Sequence, residues 1–210
     1  MSKRKFLLAK HFEPHPEDAG AIEQLAPARC TFGLTPRGRI YAVAGRLGDS
    51  NVEALLQLPF LIEVTVSNMV ADPIFTDSGF EQLLLQSSLQ IFGCAQNQAL
   101  TDKSVAVLSS ASRMRWLCLN GCAITDIGVE HISEYGQLFG LYLTDNQITN
   151  QCVPHLCRLT KLRRLRLTGT LVTESFRDKL AAHLPKCRSM QLGTEGNCSS
   201  QTDNMDPATE

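Results

Sequence analysis

The sequence predicts an α/β fold of the repeating kind: a right-handed solenoid with a curved parallel sheet on its concave side, helices on its convex side, and an N-terminal helix and β-hairpin as a cap. Three observations carry this. The segments 114–126, 138–150 and 162–174 superpose at a spacing of 24 residues. Each holds an apolar alternation, Leu117/Leu119, Leu141/Leu143 and Leu165/Leu167, that suits a short strand with one buried face. Each then reaches an Ile-Thr-Asp type of step that opens a helix-spaced apolar stripe. One strand-turn-helix unit cannot bury both of its apolar faces, whereas stacked units can.

Taken in chain order, Glu17 to Leu25 reads as a short helix stopped by Pro27. Cys30 to Leu34 and Arg39 to Ala44 alternate around Thr35-Pro36-Arg37-Gly38, which predicts a hairpin feeding the first strand of the solenoid. Leu47 to Val52 is a degenerate form of the step, ahead of a helix over 52–58. Val64/Val66 and Leu89/Ile91 give two weaker strands, followed by Phe75-Thr76-Asp77 and Leu100-Thr101-Asp102. The longer strand-to-step intervals there predict bulges at Asn68 to Ile74 and Ala95 to Ala99. Thr101 or Asp102, and Thr125 or Asp126, stand where an N-cap is wanted before Val105/Leu108 and Val129/Ile132, and Val153/Leu156/Leu159 repeats the stripe. Met190 to Leu192 is a last, weaker strand, and the acidic, Ser- and Thr-rich residues 194–210 read as disordered. The expected organisation is a cap over 1–38, repeats over 39–193 and a tail over 194–210.

Composition narrows the function. With 43% hydrophobic residues, 20% charged residues and a formal net charge of -1, the chain has no global attraction to nucleic acid or to an anionic membrane. No apolar run reaches the roughly 18 residues of a membrane span, and Phe6 to Ala9 is too short for a secretory core. The expectation is a cytoplasmic protein whose eight cysteines are reduced thiols.

The repeated Leu-x-x-Leu-x-Leu, the 24-residue period and the Thr-Asp step resemble the leucine-rich-repeat family, in its cysteine-containing, ribonuclease-inhibitor-like branch, over residues 39–193. The start also resembles the cap of some bacterial members. The resemblance implies an Asn, Cys or Thr three residues past the second strand leucine, bonding the turn, and Cys94, Cys122, Asn146 and Thr170 are matched to it. Rungs lie about 5 Å apart, so a Cys94–Cys122 disulfide is within reach in an oxidising compartment. A scaffold or recognition role is implied, or alternatively that of a substrate-receptor or adaptor subunit of a larger complex.

No catalytic, cofactor or metal site is expected. His11 and His15 have a ligand-like spacing, but Pro14 and Pro16 prevent the helix it requires. Cys118/Cys122 and Cys152/Cys157 are also ligand-like, yet a solenoid aims Cys118 out of the sheet and Cys122 into a turn. Phosphate-loop, dinucleotide and nucleophile-elbow motifs do not occur. Strand alternation instead exposes Glu63, Thr65 and Ser67, then Ser88, Gln90 and Phe92, then Trp116, Cys118 and Asn120, then Gly140, Tyr142 and Thr144, then Arg164, Arg166 and Thr168. Phe92, Trp116, Tyr142, Arg164 and Arg166 would share one concave patch of interface-rich residue types. The competing reading is that Trp116 shields neighbouring leucines, or that a one-residue slip buries it. Arg158, Lys161, Arg163, Arg164 and Arg166 add local positive charge, for which an acidic protein partner is a better match than nucleic acid.

Overall fold

A computed structural model describes residues 15–67, 74–111 and 113–193, together with the backbone of residues 6–8. Among the described residues nine strands form one sheet in chain order. β1 (Phe6–Leu8), β2 (Thr31–Leu34) and β3 (Ile40–Gly45) are antiparallel neighbours. From β3 onward every pairing is parallel, through β4 (Glu63–Ser67), β5 (Ile91–Ala95), β6 (Trp116–Asn120), β7 (Gly140–Tyr142), β8 (Arg164–Arg166) and β9 (Ser189–Gln191). The helices α1 (Ala19–Leu25), α2 (Val52–Leu56), α3 (Asp77–Leu83), α4 (Asp102–Ala106), α5 (Asp126–Tyr135) and α6 (Val153–Leu156) pack on one another in sequence, and α7 (Arg177–His183) closes the series. Helices need about 8–10 Å of lateral room against about 4.8 Å for strands, so stacking the units curves the sheet inward. This is a leucine-rich-repeat solenoid, with the hairpin β2–β3 and helix α1 covering its N-terminal end. No helix among the described residues is long and apolar enough to cross a membrane.

Inward strand residues and helix stripes build one continuous core, with Leu117, Leu119, Leu141, Leu143, Leu165 and Leu167 all buried. The cap is tied to it by charge: buried Asp18 accepts from Arg39 Nη2 at 2.8 Å and from the Ile40 amide at 3.0 Å.

β5 departs from the sequence-based register. Phe92 pairs in line with Leu117 and Val64, and Cys94 with Leu119 and Val66. Phe92 is therefore a core residue, fully buried against Phe75 and Phe80 at ring-centroid distances of 5.6 and 4.6 Å, and not a member of the concave patch. The cause is bulk: both registers of Leu89-Gln90-Ile91-Phe92-Gly93-Cys94 present apolar residues inward, and the larger ring occupies the core. The slip also moves the turn position. Asn97, not Cys94, sits three residues past the second inward residue; its Nδ2 donates to the Phe75 carbonyl at 2.6 Å and its Oδ1 accepts from the Ala99 amide at 3.0 Å. Asn146 does the same work two rungs on, donating to Leu119 O at 2.6 Å and accepting from Ile124 N at 3.1 Å. Cys94 is a strand residue, and Cys122 Sγ stands 4.0 Å from its carbonyl oxygen, with both thiols free. The expected bulge at Ala95 to Ala99 shrinks to a single extra residue. In the other, Ile74 is exposed and Asn68 to Pro73 lie outside the described residues, as do His11 and the acidic 194–210 segment.

Two further regularities hold the stack together. The residue after each strand turn adopts a left-handed backbone: Gln96, Gly121, Asp145, Gly169 and Gly193, with φ from 55° to 88°. The second is a chain of side chains across the helix starts. Thr76, Thr101, Thr125 and Thr149 each cap their own helical turn through the hydroxyl oxygen at about 3.2 Å. The carboxylate of the preceding repeat's Asp accepts from both the amide and the hydroxyl of that Thr. The four pairs are Asp49–Thr76, Asp77–Thr101, Asp102–Thr125 and Asp126–Thr149, all with distances of 2.6–2.8 Å. In the next pair Asn150 takes the acid's place, and its hydroxyl contact with Thr173 lengthens to 3.4 Å.

Replacing Asp102 by Ala should cost about 2–3 kcal/mol, since it strands an amide and a hydroxyl that bonded a charged acceptor. Asp102→Asn should cost roughly half as much, as the Asn150 pair already works with one acceptor oxygen. Urea midpoints of the two variants test the order; equal stability of wild type and Asp102→Ala would remove the ladder from the account of the fold.

Burial pushes the Cys30 and Cys152 thiols from 9.0 up to about 12. A thiol raised in this way binds its proton more tightly folded than unfolded. Its contribution is thus complete below about pH 9 and is lost as pH climbs toward 12. Urea midpoints should be level between pH 7 and 8.5 and fall beyond pH 9; a midpoint that stays level to pH 11 would contradict this.

Candidate concave binding face

Parallel register sets the outward residues of successive strands in rows. One row runs Ala42, Glu63, Ile91, Trp116, Gly140, Arg164 and Ser189. The next runs Ala44, Thr65, Gly93, Cys118, Tyr142, Arg166 and Gln191. A third is polar, and there Asn120 Oδ1 accepts from the Thr144 amide at 3.0 Å.

Ile91, Trp116, Cys118 and Tyr142 form a small apolar cluster separated from the main core by the sheet, with Phe139 packed at its side. Gly140 makes this arrangement possible. A Cβ at that position would overlap the Trp116 indole, so the ring reaches across β7 only because no side chain stands there. Beyond the glycine lies Arg164, whose guanidinium carbon is 5.5 Å from the indole ring centroid. Tyr142 meets Trp116 edge-on, with centroids 6.2 Å apart and planes at 78°, and Arg166 covers Tyr142 at 4.8 Å. Below this row, Phe139 takes Arg163 at 4.7 Å and Arg115 at 5.5 Å.

The structure thus brings together four of the five residues singled out from sequence, Trp116, Tyr142, Arg164 and Arg166, and places Phe92 in the core. Trp116 and Tyr142 are each only 6% exposed, so the rings are a floor and the guanidiniums are the surface. Trp116 Nε1 is buried and makes no hydrogen bond among the described residues. Ile91, Arg115 and Phe139 were missed. Ile91 was lost through the β5 slip; Arg115 and Phe139 lie one residue before the outward row, where strand alternation alone assigns them no role.

Cys118 and Cys122, whose spacing is ligand-like, lie in different clusters. Cys118 belongs to the concave cluster, Cys122 to the turn and Cys152 to the core, and no three His, Cys, Asp or Glu side chains gather around a metal-sized space among the described residues. The Cys122 thiol is raised well above the ordinary range by its hydrogen bond with Cys94 and by burial, which leaves it a poor nucleophile.

No family model and no curated protein matches the chain. Solved structures with a similar chain path include an internalin (inlF) of Listeria monocytogenes, 18% identical with a TM-score of 0.45, over 67% of this chain and 51% of that one. Another is an internalin C2 of the same bacterium, 16% identical with a TM-score of 0.49, over 89% of this chain and 88% of that one. A leucine-rich-repeat protein of Leptospira interrogans is 18% identical with a TM-score of 0.40, over 65% of this chain and 38% of that one. The chain spans about half the length of the internalin inlF. The architecture itself rests on the strand register and the ladder described above.

Gly140→Ala should force the indole off β7, costing about 1–3 kcal/mol and exposing Trp116. As the chain has one Trp, its emission reports this directly. A red-shifted maximum and easier acrylamide quenching are expected; unchanged emission would mean that the indole does not lie over Gly140.

Proposed function

We propose that this chain is a non-catalytic interaction module that binds a protein partner through its concave face. Trp116, Tyr142, Arg164 and Arg166 form the contact, and the partner offers an acidic surface. The observation that supports this best is the apolar cluster on the sheet's outer face, roofed by two guanidiniums. Core packing does not call for it, because the sheet separates it from the core. Held over the Trp116 ring at 5.5 Å, the Arg164 guanidinium loses little further freedom when its N–H groups meet a carboxylate. The rings orient the cations and are not themselves the open contact surface. Cytoplasmic action, with the thiols reduced, belongs to the same reading.

The test is affinity capture from an extract of the source cell with wild type and Arg164→Glu/Arg166→Glu, which leaves the Trp116 floor in place. A protein held by wild type and released by the variant is the expected result, and its binding should weaken with added salt. Equal retention by both would put the binding surface elsewhere.

A further inference from the structure

β9 is the last strand of the sheet among the described residues, so its far edge and the turn beside it stand where a further rung would stack. Earlier junctions show what such a rung bonds to. The Ile124 and Ile148 carbonyls accept from Gln147 N and Leu171 N of the next turn, at 3.2 and 2.8 Å. Asp102 and Asp126, each directly after a capping Thr, accept from the Thr of the next repeat through both carboxylate oxygens. Each strand also turns alternate backbone groups toward its successor, as Leu167 N does in donating to Gln191 O at 2.7 Å.

At the end of the stack these three positions are Val172, Glu174 and Met190. Val172 lies 24 residues after Ile148, and Glu174 follows Thr173 as Asp126 follows Thr125. Gln191 bonds back toward β8, so alternation turns the backbone groups of Met190 to the open side. One side chain takes two of the three positions. Arg177 holds both Glu174 carboxylate oxygens, Nε at 2.6 Å from Oε2 and Nη2 at 2.9 Å from Oε1, and its Nη1 donates to Met190 O at 3.0 Å. A planar guanidinium fork makes all three bonds at once, which an ammonium does not. The surroundings favour association. Thr170 to Glu174, Leu192 and Gly193 line a groove beside the pair; Leu171 there is 65% exposed, and Met190 is half-buried. A strand edge next to exposed apolar side chains is a template for another chain unless something blunts it.

We infer that Arg177, held by Glu174, is a terminal clamp that fills bonding positions a further rung would use, and so keeps the β9 edge of the sheet from pairing with a second copy of this chain. The second copy is the occupant because the edge is self-complementary: a two-fold axis sets two β9 strands antiparallel, equal in length, and closes the assembly at two copies. The clamp lies outside the concave patch and does not depend on what that patch binds.

The test follows the weight-average mass of the full chain by sedimentation equilibrium over a range of concentrations. Wild type is compared with Glu174→Ala/Arg177→Ala and with the same pair carrying Met190→Pro, each first shown to be folded by circular dichroism. Proline at 190 removes the outward amide and spares the bonds to β8. Relative to wild type, the mass of the alanine pair should rise with concentration toward about twofold, and proline should return it to the wild-type value. Absence of a rise overturns the inference. A rise that proline leaves in place overturns it too, because that association does not use the β9 edge. If the alanine pair does not fold, Arg177→Lys is read in its place, since its ammonium beside Glu174 gives up the bond to Met190 O. Its mass should rise in the same way, and a mass equal to wild type overturns the inference.

Discussion

A solenoid has no distant contacts to correct an error in stacking, so every junction must be specified where it occurs. In this chain the specification is a carboxylate shared between neighbouring helix starts. The Asp that opens one helix binds the amide and the hydroxyl of the next repeat's capping Thr, and that hydroxyl also accepts from its own helix. Each group is thus used twice, once within its repeat and once across the junction. The geometry leaves no room for bulk. A Cβ at Gly79 would overlap the Asp49 carboxylate, and one at Gly128 the Asp102 carboxylate. The equivalent sites in α4 and at the start of α6 hold Ser104 and Cys152, both buried. Small size at this position is a requirement of the ladder, and the cysteine there is explained by volume before any chemistry is invoked.

The architecture was legible because three repeats state the pattern in the same letters. Leu117/Leu119, Leu141/Leu143 and Leu165/Leu167 admit one register, and the Thr-Asp step marks each helix start. Reading failed at β5, where apolar residues at 89, 91, 92 and 94 satisfy both registers. Alternation is silent in such a stretch, and the outcome is decided by which side chain fills the space beside Phe75 and Phe80. Asn97 held the missing clue: counting back three residues from a turn-bonding Asn leads to Cys94 and hence to Phe92. The left-handed ladder was legible only in part, since Gly121, Gly169 and Gly193 suggest it while Gln96 and Asp145 do not. The concave patch was found by alternation, but its closure was not. That Trp116 reaches over Gly140 toward Arg164 depends on the absent side chain of that glycine, a relation between repeats that single-strand periodicity does not contain.

Covered rings alter the physical meaning of the patch. An exposed Trp offers a partner its own area, whereas an indole 6% exposed offers little beyond the cation held over it. Truncating it would remove packing on the sheet and release Arg164 together, which mixes folding with binding. The guanidiniums separate the two effects, because they lie outermost and their charge can be reversed with the floor intact.

The separation of charge follows from the same repeat grammar. In each unit the strand leads into the helix start and the helix returns to the next strand start, so the two edges of the sheet face opposite helix ends. Asp77, Asp102 and Asp126 are committed to helix starts, where the helix dipole favours negative charge. The other edge faces helix ends, which tolerate cations, and there Arg115, Arg163, Lys186 and Arg188 gather. A chain of nearly zero net charge thereby gathers cations on one edge and carboxylates on the other without a biased composition. Its field is local and directional, with a reach of about a Debye length, roughly 8 Å in physiological salt.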